Sequence, residues 1–316
     1  MTKILITGAH GFIGRHLSKF LAAKGHQVMG IGHGSWVREE ALSWGIQEWL
    51  DGDINQDNLR ILQERGEPEL VFHLAGGSTV GAAIKNPYED FLRTVQSSIE
   101  LLEWIRLELP TARLIAISSA AIYGATFNRP IPENAIGTPY SPYGYHKQIM
   151  ESVCKSYGDS YGIDFRIARL FSVYGPELKK QLLWDICKKL KNSNSNLILG
   201  GTGEELRDWV HIKDVTAALE LIGFNNNPNQ SNYINVGSGI GTSVKQVAEI
   251  VTNAWQKHSG KTIKSNFSFS NQNRPGDPFS LIAEPLSLAH LGFSAKVSLD
   301  EGIHEYVKWF YQLIKD

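Results

Sequence analysis

Along the first half of the chain, short apolar runs alternate with longer segments in which apolar residues fall three and four apart. The runs lie at about 3–7, 27–32, 46–50, 70–75, 113–118 and 164–169 and predict strands. The segments lie at about 14–24, 56–65, 88–109 and 143–158 and predict helices, with Phe91, Val95, Leu102, Ile105 and Leu109 forming one helical stripe. Strands that alternate with helices build parallel βαβ units with right-handed crossovers. The expected fold class is therefore α/β, a doubly wound parallel sheet that receives its ligand at the carboxyl ends of its strands.

The pattern loosens after residue 170, at Pro176, the Asn/Ser run 192–196 and Gly200-Gly201-Thr202-Gly203. At 209–236 the chain is expected to return to the first domain, with Trp209-Val210-His211-Ile212 and Tyr233-Ile234-Asn235-Val236 as strands around a helix. A helix at about 243–255, a strand near 265–269 and a helix at 299–315 follow, the last with an apolar face of Ile303, Tyr306, Val307, Phe310 and Ile314. The expected division is one domain of 1–170 and 209–238 and a smaller, interleaved α/β domain of 171–208 and 239–316.

Composition narrows the class. The 316 residues are 42% apolar and 20% charged, which fits a soluble globular protein with a proper core. A net charge of −1 gives no reason to expect nucleic acid or an anionic membrane as partner. No run approaches the ~20 apolar residues of a membrane span, and the first apolar run is a strand rather than a signal segment. A cytoplasmic location is expected. Cys154 and Cys187 lie in helix-like segments and read as small core residues. The ten histidines form no ligand pattern with a second His or Cys, so no metal site is expected; His73 and His211, in apolar strands, read as satisfied core or edge residues.

Chemistry begins at Thr7-Gly8-Ala9-His10-Gly11-Phe12-Ile13-Gly14, between the first strand and the first helix. Gly8 permits a tight turn, Gly11 lets backbone approach a pyrophosphate, and Gly14 lets helix and strand pack closely. The helix N-terminus adds free N–H groups and a positive dipole end. These features predict a dinucleotide. Which one depends on the end of the second strand, where an acidic residue usually holds the ribose hydroxyls of NAD. Here the strand runs into Gly32-His33-Gly34-Ser35, with Arg38 beyond. His33, Ser35 and Arg38 can supply donors and positive charge to a 2′-phosphate, so NADP is expected, with NAD as the other possibility. In Gly52-Asp53-Ile54 the carboxylate can accept from the adenine amino group or cap a helix.

Tyr143 and Lys147 stand four residues apart and share a helix face. A cation beside a phenol favours phenolate and lowers its pKa toward neutrality. Tyr311 and Lys315 repeat the spacing at what reads as a solvated helix edge. Tyr143 differs in context: it follows Pro139-Tyr140-Ser141-Pro142 and a strand ending in Ile117-Ser118-Ser119, which places a hydroxyl near the phenol.

The chain resembles the extended short-chain dehydrogenase/reductase family, and within it the nucleotide-sugar epimerases, dehydratases and 4-ketoreductases, all built on a Rossmann sheet. The resemblance covers nearly the whole length. It rests on the glycine loop 7–14, Gly52-Asp53-Ile54, His73-Leu74-Ala75-Gly76, Ser118-Ser119-Ala120-Ala121-Ile122-Tyr123-Gly124, Tyr143 with Lys147, Tyr174-Gly175-Pro176, Arg207-Asp208-Trp209-Val210-His211 and Arg274-Pro275-Gly276-Asp277. It implies that Tyr143 is the catalytic acid/base, that Lys147 binds the nicotinamide ribose and tunes Tyr143, and that Ser119 holds the reacting sugar oxygen. It implies cofactor contacts from Gly8, Gly11, Phe12, Ile13, Gly14, Asp53, Ile54, Leu74, Ala75 and Gly76, besides His33, Ser35 and Arg38. Arg207 and Arg274 match arginines that contact the nucleotide diphosphate. Ser172 stands where many relatives have an asparagine, so the usual side-chain contact to a substrate phosphate changes. The implied partners are a nucleotide-diphosphate sugar and a second copy of the chain, in a homodimer paired through the helices at 88–109 and 143–158.

The same resemblance sorts the reactions. Dehydratases carry an acidic pair where this chain has Ala120 and Ala121, and without a carboxylate nothing there protonates a leaving hydroxyl. Reductases that also epimerise C3 and C5 have a cysteine at the place of Ala121. Two reactions remain that need only Ser, Tyr and Lys. The missing acid at Gly32 leans toward NADPH-dependent reduction of a nucleotide-linked 4-keto, 6-deoxy sugar at C4, with Tyr143 giving a proton to O4. The alternative is an NAD-dependent 4-epimerase; a third is a dinucleotide sensor without turnover, for which Ser119, Tyr143 and Lys147 would be superfluous.

Overall fold

The structure, a computed structural model, describes residues 1–192, 197–227, 231–260, 267–272 and 278–315. Its strands run in chain order β1 (Lys3–Thr7), β2 (Gln27–Gly32), β3 (Glu48–Asp51), β4 (Leu70–His73), β5 (Arg113–Ser119), β6 (Phe165–Leu170), β7 (Ser172–Tyr174), β8 (Leu197–Leu199), β9 (Leu206–His211), β10 (Tyr233–Val236), β11 (Gly241–Ser243), β12 (Phe267–Phe269) and β13 (Ser280–Leu281). Seven of them form one parallel sheet in the order β3-β2-β1-β4-β5-β6-β10. Both faces are covered, which is why the central strands read as continuous apolar runs rather than alternating ones. On one face Ile4, Ile6 and Phe72 pack against the helices Phe12–Ala23 and Ile212–Phe224. On the other, Leu5, Val71 and Leu114 meet the helices Gln56–Arg65, Ser97–Glu108 and Pro142–Tyr161. The strand order reverses between β1 and β4, so the crevice at their carboxyl ends is where a ligand fits.

A smaller lobe adjoins that end. There β9 pairs in parallel with β7 and β13 and antiparallel with β11, and β8 pairs with β12. Helices Gln181–Asn192, Val244–Ser259 and Leu299–Leu313 enclose its core around Ile186, Trp255, Tyr306 and Phe310. Among the described residues no helix is long and apolar enough to cross a membrane.

Three expectations are corrected. The strand expected at 209–212 spans 206–211 and belongs to the smaller sheet; only the following helix and β10 return to the large one. An apolar run marks a buried strand without saying which sheet buries it. The segment 88–109 is not one regular helix: Pro87–Phe91 and Ser97–Glu108 are joined by a π-helical turn, Leu92–Gln96. Ser97 and Ser98 donate their hydroxyls to the carbonyls of Arg93 and Thr94, a local alternative to regular helix bonding. The turn leaves Phe91 38% exposed while Val95, Leu102, Ile105 and Leu109 stay buried. Finally, Gln181–Asn192 is a full helix where only the surroundings of Cys187 read as helix-like, in a stretch of otherwise loosened pattern. Of the strand expected near 265–269, residues 267–269 are described and form β12.

One buried network ties the ends of β5, β6 and β10 to the helix Pro142–Tyr161. Arg169 of β6 donates Nε and Nη2 to the Glu151 carboxylate at 3.0 and 2.7 Å, and Nη1 to the Tyr123 hydroxyl at 2.9 Å and the Glu133 carbonyl at 2.7 Å. Tyr123 in turn donates to Asn235 Oδ1 at 2.7 Å, and the Glu133 carboxylate accepts from Ser287 Oγ at 2.6 Å. Truncating one partner of such a pair strands the other charge. Arg169→Met is expected to lower stability by about 3–5 kcal/mol in urea unfolding, and the double variant Glu151→Met/Arg169→Met to recover most of that loss. A single variant with the wild-type midpoint would contradict this.

Candidate active site

A cavity of about 1030 Å³ opens at the carboxyl ends of β1, β4 and β5. Its floor at one end is the glycine loop. Gly8 has φ +67° and its amide donates to Ile31 O at 2.7 Å; a Cβ there would come within 2.8 Å of the Ala75 amide nitrogen. A Cβ on Gly14 would run into the Gly8 carbonyl oxygen. The helix starting at Phe12 has no side-chain cap on Gly11, which leaves its first N–H groups turned to the cavity. A cradle without side chains over a helix N-terminus fits a pyrophosphate. Gly11, Phe12, Ile13, Leu74, Ala75 and Gly76 line the cavity, beside Ile54 and Asp53.

The ribose end differs from expectation. His33 lines the cavity, whereas Ser35 and Arg38 are exposed residues outside its lining. Two carboxylates occupy the neighbourhood instead. Parallel register sets Gly32 opposite Asp51, which accepts from the Gly34 amide at 3.2 Å, and His33 Nε2 lies 2.9 Å from Asp53 Oδ1. Nor is Asp53 a helix cap: Asn55 caps Gln56–Arg65, accepting from the Asn58 amide at 2.9 Å. His10 also lines this end, with its ring 4.6 Å from that of Trp36, a contact with no signal in the glycine motif.

At the other end Ser119, Tyr143 and Lys147 meet. Ser119 closes β5, and its Oγ accepts from the Ala121 amide at 3.2 Å. Ser141 caps the helix Pro142–Tyr161 and Pro142 occupies its first turn, which sets Tyr143 and Lys147 on the face toward β5. Tyr143 lies next to Ser119, and both line the cavity. Lys147 is buried, and its Nζ donates to Ile117 O at 2.8 Å. This reverses one expectation. Burial raises the Tyr143 pKa above the usual phenol value, the Ser119 hydroxyl opposes that, and Asp90 adds to it. Lys147 itself is brought down to about 8 by burial, against the raising influence of Asp90 and Glu151. Its ammonium is spent on a carbonyl rather than on the phenol. Ala120 and Ala121 are buried beside Ser119.

From the smaller lobe, Ser172 and Arg207 line the cavity, together with Lys180, which sequence reasoning did not single out. Arg207 donates to its own neighbour's carbonyl, Leu206 O, at 2.8 Å. Next to it the buried Asp208 carboxylate accepts from Ser238 N and Oγ, Gly239 N and Ala283 N, which fixes the loops on either side of β9. Arg274 lies outside the described residues. Among the described residues lining the cavity, Asp53 is the one carboxylate and stands at the ribose end. The substrate end carries Lys147, Lys180 and Arg207, a lining suited to an anionic diphosphate.

The residues read as core are core. His73 lies between Thr7 Oγ1 at 2.8 Å and Ser98 Oγ at 2.9 Å, and burial takes its pKa down to about 3. His211 is buried, with its pKa lowered to about 4 by burial, but it is not fully satisfied: Nδ1 accepts from the Lys213 amide at 3.3 Å and Nε2 has no hydrogen-bond partner among the described residues. Cys154 and Cys187 are buried free thiols with raised pKa values.

Residues 4–237 match the NAD dependent epimerase/dehydratase family. Over 97% of both chains, this protein is 28% identical to a putative UDP-glucose 4-epimerase of Methanocaldococcus jannaschii. Its fold is similar to the UDP-glucose 4-epimerase of Thermotoga maritima solved with UDP-glucose, at a TM-score of 0.86 and 26% identity over 99% of each chain. It is also similar to the UDP-glucuronic acid 4-epimerase of Bacillus cereus solved with UDP-glucuronic acid and NAD, at 0.83 and 26% over 98% of this chain and 99% of that one. The chain belongs to the NAD dependent epimerase/dehydratase family and is an enzyme of the nucleotide-sugar group of the extended short-chain dehydrogenases/reductases.

Proposed function

We propose that the protein interconverts C4 epimers of a UDP-sugar with NAD as its cofactor. The observation that carries this reading is the meeting of Ser119, Tyr143 and Lys147 at the end of β5 with alanines, not acids, at 120 and 121. Such a site holds one proton-transfer group and no second acid, which suits a reaction that takes a proton from O4 and returns it. The bound dinucleotide supplies the matching hydride acceptor and donor. In this reading Tyr143 moves the proton at O4, Ser119 holds that oxygen, and Lys147 holds the nicotinamide ribose. Gly8, Gly11, Phe12, Ile13 and Gly14 hold the pyrophosphate, and Ser172 and Arg207 face the nucleotide diphosphate. The solved relatives with UDP-glucose, UDP-glucuronic acid and NAD support the substrate class and the cofactor.

NAD is favoured over NADP by charge. Asp51 and Asp53 stand where a 2′-phosphate would add two negative charges, and like charges there oppose binding. The second reading, NADPH-dependent reduction of a 4-keto sugar, keeps one observation in its favour: Gly32 ends β2 without a carboxylate. Incubation with NAD and UDP-glucose, UDP-N-acetylglucosamine or UDP-glucuronic acid decides. The 4-epimerase yields the C4 epimer with no net NADH; consumption of NADPH with a 4-keto-6-deoxy sugar and no epimerisation would favour reduction. Tyr143→Phe should lower turnover roughly 10²–10⁴-fold while NAD affinity stays near wild type. Wild-type turnover by that variant would remove the proton-transfer role.

A homodimer is part of the proposal. Ile84, Tyr88, Phe91, Tyr145 and Ile149 are exposed apolar residues on the helices Val80–Lys85, Pro87–Phe91 and Pro142–Tyr161, which pack together. Such a patch is covered by self-association in many enzymes. Light scattering should give a dimer mass, and Tyr145→Glu/Ile149→Glu a monomer; a monomeric wild type at micromolar concentration would count against it.

The buried Lys147 carries a measurable cost. Its folded pKa of about 8 lies below its ordinary value of 10.5. Below pH 8 both states are protonated and the folded protein bears the full penalty; between 8 and 10.5 the folded state loses its proton first and the penalty fades. Lys147→Met, stripped of dinucleotide, should therefore be more stable than wild type by about 3 kcal/mol at pH 7. The gap should narrow as pH rises through that window. Urea midpoints at pH 7 and pH 10 that show the same gap would contradict the assignment.

A further inference from the structure

Directly behind the reacting groups lies a buried acid that the proposed reaction does not use. Asp90, on the helix Pro87–Phe91, is 6% exposed. Its Oδ2 lies 2.5 Å from Nδ1 of His146, which sits between Tyr143 and Lys147 on the helix that carries both. The His146 ring packs edge-on against Phe91 at 5.6 Å. Over the carboxylate runs Gly76-Gly77, part of the cavity lining. A Cβ on Gly77 would land on Asp90 Oδ1, and one on Gly76 would come within 3.2 Å of both Lys147 Nζ and Thr94 Oγ1. The Gly77 amide donates to Thr94 Oγ1 at 2.8 Å. Asp90, His146, Thr94, the two glycines and Lys147 thus form one packed cluster under the cavity.

We propose that Asp90, held by His146, is a positioning residue that sets the proton affinity of the Tyr143–Lys147 pair from beneath the cavity floor. The inference rests on the reading of Tyr143 as the group that moves the proton at O4.

A buried carboxylate is costly unless its charge is used. A structural clamp between two helices would be served as well by apolar packing. The placement of this one gives it an electrostatic effect that a clamp lacks: its charge raises the proton affinity of both Lys147 and Tyr143. Other groups face the pair. Glu151, one helical turn beyond Lys147, also raises the Lys147 proton affinity, less than Asp90 does, and is paired with Arg169. His73, on β4, is neutral. Burial keeps the Cys154 thiol protonated, and Glu89 and Arg93 pair with each other on the surface. The partner of Asp90 is instead the imidazole of His146, on the same helix as the pair it faces.

The test reads Tyr143 directly and needs no sugar. In the NAD-bound protein, the phenolate absorbance of Tyr143 is titrated as the difference between each protein and its Tyr143→Phe counterpart. Asp90→Asn keeps the shape and removes the charge, so the phenolate midpoint should fall by at least about half a pH unit. Asp90→Glu, which keeps the charge, should restore it. The acid limb of kcat should move the same way with KM for the sugar within about threefold, a split that loss of packing alone does not give. An unchanged midpoint in Asp90→Asn overturns the proposal. Should that variant fail to fold, His146→Gln keeps a donor to Asp90 that cannot ionise; its midpoint should stay or rise, and a fall overturns the proposal. A shifted midpoint in a protein that epimerises no UDP-sugar sustains the positioning role and sinks the epimerase reading instead.

Discussion

A single buried guanidinium constrains the catalytic geometry. Arg169 binds Glu151 and Tyr123 at once. Glu151 lies one helical turn after Lys147, and Tyr123 lies one short turn after Ser119. The two elements that carry the reacting groups are therefore cross-linked a few ångströms behind the place where those groups meet. Tyr123 passes the link to Asn235 on β10, and Glu133 passes it to Ser287 on the helix Leu286–His290, which packs against β10. A buried ion pair of this kind need not add net stability, since its desolvation cost is comparable to its attraction. What it adds is a fixed relation between strand β5 and the helix Pro142–Tyr161, with geometry that apolar packing would specify less sharply.

The site stores its cost in charges and orphaned polar atoms. Lys147 is buried with one carbonyl partner, and the Ser118 Oγ, which also lines the cavity, has no partner in the protein. Tyr143 is held above the ordinary phenol pKa. These are poor choices for stability and good ones for a site whose ligands bring the missing partners, which in the proposed reaction are ribose hydroxyls for the ammonium and a sugar oxygen for the phenol. Stability is lodged elsewhere, in the two apolar layers that cover the large sheet and in the separate core of the smaller lobe.

The sequence disclosed what depends on local spacing. The glycines at 8, 11 and 14 declared a cradle because each answers a local steric demand, and Gly8 and Gly14 do leave no room for a Cβ. The pairing of Tyr143 with Lys147 followed from one helical turn. What stayed hidden depends on residues far apart in the chain. Strand 206–211 has the same apolar character whichever sheet takes it. Asp90 and His146 are 56 positions apart, and nothing in either neighbourhood marks them as partners. The tyrosine pKa went the wrong way because spacing shows that an ammonium is near, not that a strand carbonyl has claimed it.

The dinucleotide end shows the same limit most sharply. A glycine at the end of β2 removes the acid that usually meets the ribose, and taken alone that argues for a 2′-phosphate. Yet charge at a site is a sum over the elements that surround it. In a parallel sheet the register that sets Gly32 against Asp51 is fixed by the packing of whole strands, and it brings a carboxylate from β3 beside the loop that β2 left neutral. Asp53, two residues on, meets His33 and offsets the positive charge that loop could have offered. Ser35 and Arg38, only a few residues further along the chain, are exposed and outside the cavity lining. The absence of one acid in sequence thus does not make a basic pocket in space, and the negative balance at this end is the physical reason to place NAD there.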